Sequence, residues 1–164
     1  MLTLYPKIIG SFFVIGSCFL FGVYLSQKLK NRKDYLSSFI DFLTNLNTNV
    51  RYLSDDIFSL IHKSSKEMLL FKDVNCCDLT IYWEDYLSSL PSNYGLKKDD
   101  YSIIKSFGDM LGKTDIEGQI NHISLHKELF AVQLKNAESE YISKSKLYKV
   151  LGLFFGVSIV LMII

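Results

Sequence analysis

Residues 115–164 read DIEGQINHISLHKELFAVQLKNAESEYISKSKLYKVLGLFFGVSIVLMII, and this stretch decides the fold. No proline follows Pro91, and the glycines beyond Gly112 are Gly118, Gly152 and Gly156. Apolar residues recur as Ile116, Ile120, Ile123, Phe130, Leu134, Ala137 and Tyr141, in steps that keep one face of a helix, with Lys127 as the interruption. From Leu147 onward the pattern is no longer one-sided, and Lys149 is its single charge. At 1.5 Å per residue the stretch makes a rod of about 75 Å. A bilayer core is about 30 Å thick. The reading is a helix that begins amphipathic and ends as a membrane anchor.

A second apolar run lies near the other end. Residues 8–25, IIGSFFVIGSCFLFGVYL, carry no charge, and they are too long for a signal-peptide core and lack its cleavage pattern. The chain of 164 residues then divides into a short N-terminus (1–7), a first transmembrane helix (8–25), a polar domain (26–146) and a second transmembrane helix (147–164). Lys28, Lys30, Arg32 and Lys33 follow the first run, and Lys144, Lys146 and Lys149 border the second. The positive-inside bias places the middle domain in the cytoplasm and both termini outside, as a two-pass protein of the cell membrane. Anionic lipid headgroups account for these basic collars.

Residues 26–149 hold 17 of the 18 basic residues and all 17 acidic ones, so the middle is formally neutral. That balance argues against nucleic acid, whose binders carry a basic excess. Cys18, Cys76 and Cys77 form neither a disulfide framework nor a C-x-x-C.

The middle reads as all-α, a bundle of about five helices flanked by the two anchors. Leu36, Phe39, Leu43, Leu46, Val50 and Leu53 continue the first anchor as an amphipathic helix, with Ile40 and Phe42 widening its face. Ser54 or Asp55 caps a second helix with Ile57, Leu60, Ile61 and Met68. After a link at 72–78, Asp78 caps a third, packed through Leu79, Tyr82, Trp83, Tyr86 and Leu87. PSNYG at 91–95 is a turn. Asp99 or Asp100 starts a fourth helix with Ile103, Ile104, Phe107 and Leu111 inward. Gly112 stands where a left-handed C-cap residue belongs. Thr114-x-x-Glu117 has capping-box spacing for the fifth helix, so the last two form a tight antiparallel corner.

Residues that could carry chemistry are sparse. His122 and His126 are four apart, but no acidic residue completes an H-E-x-x-H pattern, and they read as solvated or interface histidines. Asp55–Asp56, Glu84–Asp85 and Asp99–Asp100 fall at helix starts or on solvent faces, where exposed N–H groups favour them. Neither a nucleophile elbow nor a phosphate-binding glycine loop is present. The expectation is a non-enzyme without catalytic residues, metal or cofactor. Gly152 and Gly156 make a G-x-x-x-G pattern that permits close packing, either on the first anchor or on another subunit, which leaves a homo-oligomer open.

The run Phe107-Gly108-x-x-Leu111-Gly112-x-x-Asp115-x-x-x-Gln119 resembles the signature of the stage III sporulation protein AB family of endospore-forming bacteria. Thr48-x-Val50-x-Tyr52, Trp83 and Leu147-Tyr148-Lys149-x-Leu151-Gly152 are similar to further family segments. Asn49, Asp56-Ile57 and Tyr82 depart from the family pattern. The resemblance implies a membrane component of a sporulation complex between mother cell and forespore, made with sibling stage III proteins. The family's soluble domain is similar to the helical domains of platform proteins in type II secretion and type IV pilus systems. That likeness implies a mother-cell cytoplasmic domain that engages a hexameric ATPase. The signature residues Phe107, Gly108, Leu111, Gly112, Asp115 and Gln119 are read first as a structural corner, and otherwise as a partner-binding edge.

Overall fold

A computed structural model of the chain describes residues 4–52, 59–61 and 79–163. Helix α1 runs Leu4–Tyr52, α2 Leu79–Ser89, a 3₁₀ turn Ser92–Tyr94, α3 Lys98–Met110 and α4 Ile116–Ile163. Residues 59–61 are also helical, and no strand occurs among the described residues. The fold is all-α, as its 3.6-residue apolar periods require. Most of the expected second helix, its Ser54/Asp55 cap, Leu53 and the Asp78 cap lie outside the described residues.

The frame is one antiparallel pair of long helices, α1 and α4. Contacts run along it from Ile15 to Phe39: Gly156 on Ile15, Gly152 on Cys18, Gly22 on Tyr148, Ser26 on Ser145, Arg32 on Glu140 and Phe39 on Phe130. Each step along α1 meets a step back along α4. The apolar ends and the polar stretches of α1 and α4 thus form one continuous two-helix rod. Helix α4 passes through Ser143–Ser145 without interruption, and Ser143 Oγ donates to the Ser139 carbonyl at 2.7 Å.

In the polar half, α2 and α3 lie against this rod. Phe39 sits at the centre, with Phe42, Trp83, Phe107 and Phe130 around it at ring-centroid distances of 4.5 to 6.4 Å. Three of these contacts are edge-on, the arrangement favoured by the aromatic quadrupole. Leu36, Leu43, Leu46, Leu60, Ile61, Ile104 and Ile123 complete the core. Tyr35 and Tyr86 share a buried hydroxyl–hydroxyl bond of 2.6 Å. Burial, and next the neighbouring Tyr86, push the Tyr35 phenol well above its ordinary pKa.

Two helix starts differ from the sequence reading. Helix α3 begins at Lys98, and Asp100 lies inside it, where its carboxylate accepts the Lys97 N–H at 2.7 Å. Ile116, expected as the first inward residue of α4, is exposed, because the inward series begins one turn later at Gln119 and Ile123.

Candidate functional site

The α3–α4 corner brings the signature residues together. Phe107 and Leu111 are buried, and Gly112 ends the helix with φ +76°. That left-handed conformation favours glycine. The cap of α4 is Asp115 rather than Thr114: its carboxylate accepts the Gly118 N–H at 3.1 Å. Thr114 is occupied elsewhere, its hydroxyl accepting the Gln119 amide at 2.7 Å. Gln119 also donates to the Met110 carbonyl at 3.4 Å, across the corner. Glu117 is exposed in the first turn, where it still suits the helix dipole.

Gly108 has a specific packing reason. A Cβ there would lie inside the van der Waals envelope of Trp83 Cδ1, Nε1 and Cγ. The indole packs against the glycine, and its Nε1 donates to the Ile104 carbonyl at 2.9 Å. The signature glycine and Trp83 are therefore one contact between α2 and α3.

His122 and His126 lie at the α3–α4 interface. The His122 ring stacks on Phe107 with centroids 5.3 Å apart, and His122 Nε2 lies 3.0 Å from the Phe107 carbonyl. His126 Nδ1 lies 3.0 Å from the His122 carbonyl, and Nε2 lies 3.1 Å from Ser106 Oγ. Burial, together with the nearby His122, lowers the His126 pKa, although its backbone hydrogen bond opposes the shift. These contacts knit two helices together, and no group of three or more His, Cys, Asp or Glu is placed to hold a metal ion among the described residues.

The residues expected to face headgroups divide into two sets. Lys28, Lys30, Lys144, Lys146 and Lys149 are exposed, and Lys33 is half-buried with its ammonium over the Tyr141 ring. Arg32 is different: its side chain is 2% exposed. Its Nε and Nη2 bind the Asp100 carboxylate at 2.8 and 3.0 Å, and Asp100 is fully buried. Nη1 reaches Glu140 at 3.1 Å and Nη2 also reaches Gln133 at 3.3 Å. Glu140 pairs in turn with Lys97 at 2.6 Å and Lys144 at 3.5 Å. Burial opposes the Arg32 charge, but Asp100 and Glu140 more than offset it and raise its pKa. Lys97, with help from Lys144 and Arg32, holds the Glu140 carboxyl below its usual range against a desolvation penalty. A planar guanidinium meets a carboxylate two-pronged, a geometry lysine lacks. This cluster ties the N-terminus of α3 to both long helices. Nothing local in the sequence pairs Arg32 with residues 68 and 108 positions away.

In the apolar half, the glycines set how closely the helices approach. A Cβ at Gly152 would meet the Cys18 carbonyl at 2.6 Å, and one at Gly156 the Ile15 Cα at 2.9 Å. The G-x-x-x-G pattern is thus spent on the chain's own first apolar helix. Helices α1 and α4 are each long and apolar enough to cross a membrane.

The family profile of stage III sporulation protein AB matches residues 7–164, and so spans both apolar helices and the whole bundle. The chain belongs to the stage III sporulation protein AB family. It is 31% identical over 81 residues to the stage III sporulation protein AB of Bacillus subtilis (strain 168), a stretch covering 49% of this chain and 47% of that protein. The match therefore spans about half the length of that relative. No solved structure matches the chain. Membership gives it a sporulation-related role. The corner at Phe107–Gln119 and the seat of Trp83 on Gly108 are the family-like segments whose geometry is described above.

Proposed function

We propose that this protein is a non-catalytic membrane platform in a sporulation-specific, secretion-like complex between mother cell and forespore. Residues 8–25 and 147–164 cross the membrane, and the domain at 26–146 faces the mother-cell cytoplasm. There it meets sibling stage III proteins and a hexameric ATPase. The observation that carries this reading is the uninterrupted α1–α4 rod, onto which Arg32, Asp100 and Glu140 fasten the start of α3. Such a mount holds a soluble bundle at fixed orientation to a bilayer. Its buried charges, Arg32 and Asp100, are occupied with each other rather than converging on a cleft.

A docking face suits the same reading. Leu125, Leu129 and Val132 follow helical spacing on the outer side of α4 and are exposed. The test is co-purification from membranes of sporulating cells in mild detergent, comparing the native chain with Leu129→Asp/Val132→Asp. The native chain brings down sibling stage III proteins and an ATPase, and the variant loses them while keeping its helicity. Recovery of the intact chain without sibling proteins would sink the platform reading and favour the alternative, a small membrane-anchored regulatory module with a soluble client. Protease accessibility of the middle domain in inverted vesicles checks the orientation separately.

A further inference from the structure

One stripe of α1 does two different things along its length. Ser17, Phe21, Leu25, Lys28, Arg32, Tyr35 and Phe39 recur in steps of three and four and so share a side of the helix. Above, the stripe is covered: the Lys28 backbone touches Gly95, Arg32 binds Asp100 and Tyr35 binds Tyr86. Below, Ser17, Phe21 and Leu25 line an open groove of about 500 Å³. Helix α4 repeats the pattern, with Ile159, Phe155, Leu151 and Tyr148 in the groove wall and Lys144 and Glu140 above them. The flank that carries α2 and α3 in the soluble half is therefore unfilled in the apolar half among the described residues.

The dimensions select an occupant. Tyr148 to Ile159 is twelve residues, a rise of about 16 Å along the helix. A volume of about 500 Å³ along that length, lined almost wholly by apolar side chains, has room for a single hydrocarbon chain.

The mouth selects a headgroup. Lys28 continues the α1 stripe directly above Leu25, Lys144 continues the α4 stripe above Tyr148, and Lys97 reaches the same place through Glu140. Around that mouth Lys28, Arg32, Lys97 and Lys144 outnumber Asp99, Asp100 and Glu140 by one charge. An apolar slot ending under a net positive rim is complementary to an anionic amphiphile.

We propose that the groove holds one acyl chain of an anionic phospholipid, with its phosphate at Lys28, Lys97 and Lys144. The proposal rests on the membrane reading above and does not depend on the sporulation machine. The bound lipid replaces, within the bilayer, the packing that α2 and α3 supply outside it.

The test is native mass spectrometry of the full chain released from detergent. The probes are phosphatidylglycerol, phosphatidylcholine and glycerol phosphate, the last offering the headgroup without a chain. The native chain retains one phosphatidylglycerol, at least tenfold tighter than phosphatidylcholine, and does not retain glycerol phosphate. Lys28→Gln/Lys144→Gln weakens phosphatidylglycerol roughly 30-fold, at about 1 kcal/mol per lysine. Leu151→Trp, which fills the slot, weakens both lipids; unchanged helicity and Trp83 emission in the lysine variant, and unchanged helicity and melting temperature in Leu151→Trp, show that the fold survives. Equal retention of both lipids with no response to the lysine change, or no response to Leu151→Trp, overturns the proposal. So does efficient Cys18–Cys18 cross-linking between chains in native membranes, in a Cys76→Ser/Cys77→Ser background, because it places a second copy at the groove. A chain that leaves membranes without detergent fails the membrane reading. A chain that needs detergent yet binds no phosphatidylglycerol fails this proposal alone.

Discussion

Replacing Gly108 by alanine tests the packing logic of the corner at a single atom. In an exposed helix the change stabilises by about 1 kcal/mol, because glycine is the poorer helix former. Here the new methyl would occupy space held by Trp83, which is only 2% exposed. To regain the ~3.5 Å spacing of carbon atoms in contact, the indole must retreat by more than about 1 Å. Overpacking of this kind costs about 1–3 kcal/mol. The retreat also pulls Nε1 from the Ile104 carbonyl, and stranding those buried groups costs about 1–3 kcal/mol more. The net expectation is a loss of about 3 kcal/mol, a large share of a typical domain's stability of about 5–15 kcal/mol. Trp83 is the sole tryptophan, so urea unfolding in mild detergent followed by its fluorescence reads stability, while the folded baseline reads the indole's surroundings. Gly108→Ala shifts that emission to the red and lowers the midpoint. In a Trp83→Phe background, followed by circular dichroism, the same change costs much less. Equal or greater stability for Gly108→Ala, with unshifted emission, would refute the argument that the glycine exists to seat the indole.

The Arg32 cluster gives the next expectation. Arg32→Met leaves Asp100 buried without its cation and destabilises by about 3–5 kcal/mol in thermal or urea melts, and adding Asp100→Leu recovers most of that loss. Arg32→Lys restores the charge but not the two-pronged contact, so it recovers only part. Removing the α4 cap with Asp115→Ala costs about 1 kcal/mol, whereas Thr114→Val acts through Gln119 and raises hydrogen exchange at the Met110–Asp115 corner. For pH, the His126 pKa is depressed in the folded state. Its contribution is full above the unfolded value near 6.5 and is lost as pH falls from there through the folded value. Urea midpoints between pH 7.5 and 5 fall for the native chain, and His126→Gln flattens that part of the profile. Glu140 is also depressed, so its share is lost at lower pH, below the unfolded carboxylate value near 4.3.

The rods and the corner were readable because they depend on local patterns. The apolar period of α1 and α4 and the charge-poor runs near both ends are local patterns in the sequence. Gly112 was legible as a left-handed residue for the same reason. Arg32 was not: a basic residue beside an apolar run reads as a headgroup ligand, and its real partners come from α3 and α4. The capping box shifted by one because Thr114 and Asp115 are both good N-cap types. Only the arrival of Gln119 at the Thr114 hydroxyl decides between them. Gly108 was legible only as part of the signature, because its visitor, Trp83, comes from another helix. The partner of the G-x-x-x-G pattern was likewise a question of three dimensions, settled by Ile15 and Cys18.

The long antiparallel pairing also sets a timetable for biosynthesis. Phe39, at the centre of the core, packs on Phe130, about 90 residues later in synthesis. At roughly 5–20 residues per second, the ribosome needs about 5–18 s to deliver that partner. Throughout this interval Phe39, Phe42 and Leu46 lack the partner face that α4 brings. A nascent chain so exposed is a client for chaperones and a target for proteases. The α1–α4 frame can therefore close only after most of the chain has been made.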